Sequence, residues 1–532
     1  MRCIGIALLL SSTAALAAPP SDVDEYVAKA LQTFEAPGLT LAIVEDGKPT
    51  LTKGYGVREL GESKKVDEHT IFPIGSCTKA FTSAALAILV DEGKLSWDDR
   101  VVDKLPGFRL YDSYATAEMT VRDLLVHRSG LGLGAGDLLW LPATDYTRKQ
   151  LVQQLRYIKP ATSFRSGYAY DNVLYIAAGL LVEQISGESW ENFVQKRILD
   201  KLGMKDSVVS LRQALKTSNH ATPHARISGE LYGLGPNQAL STDPMHTESP
   251  NIAPAGSIQA SAVDMARWLA VQMDHGAIAG DRRLFSEKSS QTMWTPLVIE
   301  PPDALPASLD ARKPNFVEYA LGWNVSDYRG HKIITHTGGV GGGKAVVALI
   351  PEKRVGIALM INSEDGGARW SVLDHLLDHY LGVEPLDWIG SWKKAQDEID
   401  QKGLDEYRKF QATLQGQGPV GAPSLPLASY AGVYRDAWYG TMTIRPKGDG
   451  LSIQFDHTPA MHGSLEHVQH DTFRTRFDDR NLEDTYVTFS LKPDGSIDQV
   501  KMQPVSPLAD FSFDFQDLLF TPEQRAQEKA AD

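Results

Sequence analysis

The sequence predicts an α+β protein: an antiparallel sheet flanked by helices, closed by the two ends of one large domain and carrying a helical insertion, followed by a small all-β domain. Three observations predict this. Strand patterns open at Leu39 and return near Lys332, with helix-like segments between them. After about Pro385 the chain becomes charged and helix-prone, then rich in Gly and Pro. Beyond that, alternating strands with Gly-Asp-Gly and Asp-Gly turns run on without a clear helix, the pattern of a small barrel.

Each element has its local reason. "MRCIGIALLLSSTAALAAPP" joins an early Arg, a short apolar stretch and an A-x-A-like end, so residues 1–18 read as a cleaved secretory signal and the protein as periplasmic or secreted. Its removal leaves Cys77 as the sole cysteine, which excludes an internal disulfide and a cysteine-based metal site. "LTLAIVEDGKPTLTKGYGV" is a hairpin turning at Asp46-Gly47. "CTKAFTSAALAILVDEGK" has helical spacing and ends at Gly93, while "TVRDLLVHRSGL" and "ENFVQKRILDKLGM" also read as helices. "KIITHTGG" and "GKAVVALIPEKRVGIALMIN" return to strands. The expected domains are residues 21–385, a helical segment and linker over 386–424, and the β domain over 425–520.

The formal charge of −14 argues against a nucleic-acid partner, which would want a basic face. No segment after the signal is long and apolar enough to span a bilayer. The expected partner is a small molecule or short peptide, no cofactor is called for, and an oligomer is compatible with the sequence.

The chemistry centres on "FPIGSCTKAF". With a helix starting at Ser76, Ser76 and Lys79 lie three apart on one face, and the helix start favours developing negative charge. Cys77 points about a hundred degrees away. The serine is therefore the nucleophile, with the lysine placed to hold or remove its proton. Downstream come Tyr170-Asp171-Asn172, a Y-x-N, and His336-Thr337-Gly338 on a strand.

S-x-x-K, Y-x-N and a basic-x-Gly strand, in that order, resemble the serine penicillin-recognising hydrolases: class C β-lactamases and the related aminopeptidases, carboxypeptidases and esterases. "TVRDLLVHRSGL", "ISGESWENFVQKRILDKLGM", "APAGSIQASAVDMARWL" and "YALGW" extend the resemblance from about Ser21 to Val383. The C-terminal piece is similar to the lipocalin-like barrel of some exported members. The resemblance implies an acyl-enzyme on Ser76 and Tyr170 as general base, as phenolate or sharing a proton with Lys79. It also implies that Asn172 orients Lys79, and that the Ser76 and Gly339 amides form the oxyanion hole. Gly338 and Thr337 would border the substrate. A phenol titrating near ~10 needs a cation close by to act at neutral pH, and Lys79 supplies it. Which of the two holds the proton stays open at this level.

The family's wall carboxypeptidases and β-lactamases usually carry Lys where this chain has His336. A mostly neutral histidine weakens any anchor for a substrate carboxylate. That shifts the expectation to a peptidase or amidase acting on peptide-like amides, D-residues or other non-standard residues included. The alternatives are an esterase or weak β-lactamase, and a slowly acylated sensor. No G-x-S-x-G elbow or H-E-x-x-H motif occurs. His457, His462, His467 and His470 match no metal-site spacing and read as surface or turn residues. His127 reads as structural, and Trp438 and Tyr439 as core aromatics.

Overall fold

The central sheet is antiparallel and has eight strands. Its first hairpin is β1 (Gly38–Glu45) and β2 (Lys48–Gly56). The later strands are β3 (Val298–Ile299), β4 (Val317–Tyr319), β5 (Asn324–Tyr328), β6 (His331–Val340), β7 (Gly343–Ile350) and β8 (Val355–Ile361). The order β2-β1-β8-β7-β6-β5-β4-β3 joins the two ends of the domain, with Leu39 opposite Ile361. The computed structural model describes residues 18–241, 249–416 and 421–523. The expected signal, but for Ala18, and residues 417–420 of the expected linker lie outside them.

Every residue of β1 is buried because both faces of the sheet are covered. Leu39, Leu41 and Ile43 face α1 (Val23–Phe34) and, later in the chain, a helix over Gly366–Leu381. Ala42 and Val44 face the opposite layer, which holds α2 (Thr78–Asp91), α3 (Val173–Ser186) and α4 (Ala262–Met273). There Phe81 of α2 stacks on Trp268 of α4 at 3.8 Å. Numbering the Gly366–Leu381 helix α5, the charged segment after Pro385 forms α6 (Trp388–Gly416). Trp388 and Trp392 of α6 donate their indole N–H groups to Asp378 and Asp374 of α5, at 2.7 and 2.8 Å.

Of two segments expected as helices, one is not a helix and the other is an irregular one. "TVRDLLVHRSGL" forms only a 3-10 turn over Val121–Leu125, closed at its start by a Thr120–Asp123 capping box. The chain then leaves helical geometry because His127 takes a positive φ of 56°. "ENFVQKRILDKLGM" winds as a π-turn over Gln195–Leu199 between two short α-helical pieces.

The C-terminal strands are β9 (Gly432–Asp436), β10 (Gly440–Lys447), β11 (Gly450–Phe455), β12 (His462–Gln469), β13 (Thr472–Phe477), β14 (Thr485–Leu491), β15 (Ile497–Pro504) and β16 (Leu519–Pro522). They close into a barrel in sequence order. Phe455, Phe473, Phe477, Phe489 and Met442 are buried in its core. Among the described residues no helix is long and apolar enough to cross a membrane.

Candidate active site

Ser76 sits in a 3-10 turn, Gly75–Cys77, that feeds directly into α2. The turn packs against the end of β6. Gly75 has a φ of +49°, and a Cβ added there would lie 2.7 Å from the Gly339 nitrogen. A Cβ on Gly338 would lie 1.9 Å from the Ile74 carbonyl oxygen and 3.1 Å from the Ser76 nitrogen. Both glycines thus let two stretches of backbone meet. The amide nitrogens expected as oxyanion donors, those of Ser76 and Gly339, both lie at this backbone contact.

The pairing of β5 with β6 ends at Thr335. Residues 336–340 keep β7 on one side and run unpaired by β5 on the other. Thr337 is half-buried, Gly338 buried and Gly339 exposed.

Lys79 occupies the first turn of α2 and is fully buried. Its Nζ lies 2.9 Å from Ser76 Oγ, 2.7 Å from Asn172 Oδ1 and 3.1 Å from the Ala255 carbonyl oxygen. Burial pushes its pKa down to about 7, against the pull of Asp137 and Asp171. The three bonds match the three N–H groups of the ammonium; once it loses a proton, two N–H groups can stay with Asn172 and Ala255 and leave the lone pair for the Ser76 hydroxyl.

Tyr170 and Asn172 come from the loop that starts α3. Nζ of Lys79 lies 4.7 Å from the centre of the Tyr170 ring, and the Tyr170 phenol interacts with the Ser76 hydroxyl. Burial pushes this phenol well above its usual pKa, more than the Ser76 contact lowers it. Asn172 donates its Nδ2 to Asp137 Oδ2 at 2.8 Å, which fixes its oxygen toward Lys79.

His336 is buried on β6. Its Nδ1 donates to the Thr337 carbonyl at 2.6 Å, so Nε2 accepts from the Tyr319 hydroxyl at 2.7 Å. Burial, helped by the nearby Lys79 charge, pushes its pKa down to about 3. The ring is neutral with both nitrogens engaged. Cys77 donates its thiol to the His336 carbonyl at 3.3 Å, and burial raises its pKa to about 12. It faces away from the cleft, as the helical geometry requires.

Sequence reasoning missed Asp137, which is fully buried and accepts from Trp140 Nε1 at 2.8 Å, from Asn172 and from Ser512. The available signal was a lone acid in the otherwise apolar "GAGDLLWLP". His127 is closer to the site than its structural reading implied, its ring centre 4.2 Å from that of Tyr170. The four C-terminal histidines are dispersed: His457 pairs with Asp145, His462 with Asp478, and His467 with the His470 carbonyl. Trp438 and Tyr439 are buried, and Tyr439 accepts a bond from Tyr146 through its carbonyl.

A serine at a helix start, a buried lysine one turn on, and a facing tyrosine and asparagine, all beside a strand that β5 leaves unpaired past Thr335 among the described residues, define the class of β-lactamase-like and penicillin-binding proteins. The chain belongs to the β-lactamase family, whose model matches residues 23–382. A second model, a domain of unknown function (DUF3471), matches residues 417–522. Among similar proteins, the unguisins hydrolase ungD of Aspergillus violaceofuscus is 29% identical over 493 residues, covering 85% of this chain and 82% of the relative. Penicillin-binding protein 4 of Amycolatopsis lactamdurans is 28% identical over 355 residues, 66% of this chain and 87% of its own. The octameric penicillin-binding protein homologue of Pyrococcus abyssi shares the fold at a TM-score of 0.57, with 21% identity over 94% of this chain and 99% of that one.

Proposed function

We propose that the protein is an exported serine hydrolase that cleaves peptide-like amides through an acyl-enzyme on Ser76. The observation that carries this reading is the placement of Lys79: a buried amine at about pKa 7, its N–H groups occupied and its nitrogen 2.9 Å from Ser76 Oγ. Ser76 attacks the carbonyl and gives its proton to Lys79. The amides of Ser76 and Gly339 receive the developing oxyanion. Tyr170, kept protonated by burial, hands its proton to the leaving amine and is recharged from Lys79. Water then attacks the acyl-enzyme by the same relay in reverse. An amide rather than a simple ester is favoured by the edge of 336–340 that β5 leaves unpaired among the described residues, along which an extended peptide can add as a strand. The relative named as an unguisins hydrolase agrees with hydrolytic chemistry. Export rests on the signal-like residues 1–18.

The test is intact-mass and peptide mapping after reaction with a fluorophosphonate, with turnover of D- and L-aminoacyl p-nitroanilides, short-chain p-nitrophenyl esters and a fluorescent penicillin. Label on Ser76 with anilide turnover supports the reading. A persistent penicilloyl adduct without turnover of any amide or ester would replace it with a sensor.

A further inference from the structure

The barrel reaches into the catalytic cluster. Between β15 and β16 the chain leaves the barrel and crosses to the segment around Asp137. Asp514 accepts from the backbone amides on either side of that residue, Gly136 N at 2.7 Å and Leu138 N at 3.0 Å. Ser512 donates its hydroxyl to Asp137 Oδ2 at 2.7 Å. A Cβ on Gly134 would meet the Phe511 carbonyl at 2.7 Å, and the Phe511 ring lies 5.9 Å from Tyr170, edge to face. Ser512, Asp514 and Asp137 are all buried.

One hydrogen-bonded line therefore runs from the barrel to the nucleophile: Ser512, Asp137, Asn172, Lys79, Ser76. We infer that Ser512 is a positioning residue for Lys79, acting through Asp137 and Asn172, so that the C-terminal barrel completes the catalytic centre of the domain before it. This inference rests on the acyl-enzyme reading of Ser76 and gives the barrel a function within it. A docking contact alone needs no hydroxyl aimed at a buried carboxylate. Asp514 already clasps the backbone around it, and Tyr146, Asp145 and His457 hold the two domains together elsewhere.

The direction of the effect follows from the groups that face each member. Asp137 faces Trp140 and Asn172 of its own domain, Ser512 and Asp514 of the barrel, and Lys79, with Asp517 behind Asp514. Lys79 faces Asp137, Asp171, Cys77, Tyr170, Tyr175 and, across the cleft, His336 and His127. Removing the Ser512 hydroxyl takes a donor from the Asp137 anion and makes it easier to protonate. A less anionic Asp137 holds the Lys79 proton less tightly. The amine then becomes neutral at lower pH, while Asn172 loses part of its fixed orientation.

The experiment uses the full chain as Ser512→Ala and Ser512→Thr. The rate of fluorophosphonate labelling and the kcat/KM for p-nitrophenyl butyrate are followed from pH 5 to 9. In parallel, Lys79 is titrated by NMR in protein carrying 13Cε-lysine. For Ser512→Ala the acid limb should move down by about half a pH unit, roughly a threefold change in the protonation ratio at fixed pH, while the plateau rate falls several-fold. The Lys79 titration should move with the limb, and Ser512→Thr should restore both. A uniform loss of rate with an unmoved limb would make Ser512 merely structural and overturn the inference. So would a profile that superimposes on the parent, or a threonine variant no better than alanine. A parent that takes no label on Ser76 would overturn the hydrolase reading. The Lys79 titration, which needs no turnover, would then still decide the role of Ser512: moved by alanine and restored by threonine it stands, unmoved it falls.

Discussion

Replacing Asp137 by Asn removes the acid of the cluster with little change of shape. Lys79 Nζ to Asn172 Oδ1 is 2.7 Å and Asn172 Nδ2 to Asp137 Oδ2 is 2.8 Å, in line through one amide. With about 2.3 Å between the amide oxygen and nitrogen, that places ammonium and carboxylate about 8 Å apart, worth about 2 kcal/mol at an effective dielectric of ~20, or about 1.5 pH units. The parent's acid limb in kcat/KM should lie near pH 7, where Lys79 loses its proton, with activity rising as pH increases. At pH 6 it would run at roughly a tenth of its plateau. Burial raises Asp137 itself to about 7, so only part of this attraction acts across the limb, and in Asp137→Asn the limb should move to lower pH by up to about 1 unit. The plateau should also fall. Trp140 donates to one carboxylate oxygen, and Asn172 and Ser512 to the other. The new amide NH₂ must then face a donor, costing about 1–3 kcal/mol of stability. The assay is a pH series of kcat/KM on one p-nitrophenyl ester with a melting curve at each pH. A limb that stays put, or moves to higher pH, would refute the claim that Asp137 sets the proton affinity of Lys79.

Ser76→Ala should abolish fluorophosphonate labelling, while Cys77→Ala keeps most activity; in the folded parent the Cys77 thiol, raised to about 12, should resist iodoacetamide at pH 8. Label lost with Cys77 and kept without Ser76 would reverse the assignment. Lys79→Ala and Tyr170→Phe should each lower kcat by about a hundredfold or more, and the double variant by far less than the product, because one proton passes through both. Fully multiplicative losses would mean separate tasks. The sequence expects His336→Lys to favour carboxylate-bearing substrates. With both ring nitrogens already engaged beside Lys79, that variant should instead slow all substrates together. Lys344 of β7 reaches within 3.2 Å of a Cβ placed on Gly339, so Lys344→Ala should be the change that alters the carboxylate-to-neutral ratio. A ratio moved by His336→Lys and unmoved by Lys344→Ala would reverse this.

What the sequence disclosed about the site is local or ordered along the chain. Ser76 and Lys79 are three residues apart on a helix, and Tyr170 and Asn172 are two apart, so spacing alone groups them within each motif. The closing of the sheet was legible because short apolar runs mark β1 and β8 separately, and a domain with strands at both ends has few ways to bury them. Asp137 and Ser512 were illegible for the opposite reason. They are 375 residues apart, and neither carries a motif. Their meaning exists only once the barrel has docked. The failed helix at "TVRDLLVHRSGL" is similar: the apolar spacing is helical, but His127 turns left-handed, its Nδ1 accepting the Asp171 amide at 3.1 Å. A tertiary bond there overrides local propensity.

The same burial favours one division of the proposed chemistry between Lys79 and Tyr170. A site that excludes water penalises charge of either sign, so it lowers the amine and raises the phenol together. Above about pH 7 the resting state it favours is a neutral amine beside a neutral phenol. In that state only the amine has a free lone pair aimed at Ser76, and only the phenol has a proton to give. Attack by Ser76 then creates an ammonium where there was none. It forms 4.7 Å from the Tyr170 ring centre and 5.3 Å from that of Tyr175, whose π-faces attract a cation, and at the end of the line leading to Asp137. These contacts stabilise the charge that appears during attack more than the neutral resting amine, which is the condition for accelerating a step rather than only binding its reactant. The new ammonium in turn makes the phenol more acidic at the moment a leaving amine needs its proton. A phenolate base would require the reverse: a permanent cation at Lys79, held against burial by an acid stronger than an Asp137 that is itself raised to about 7.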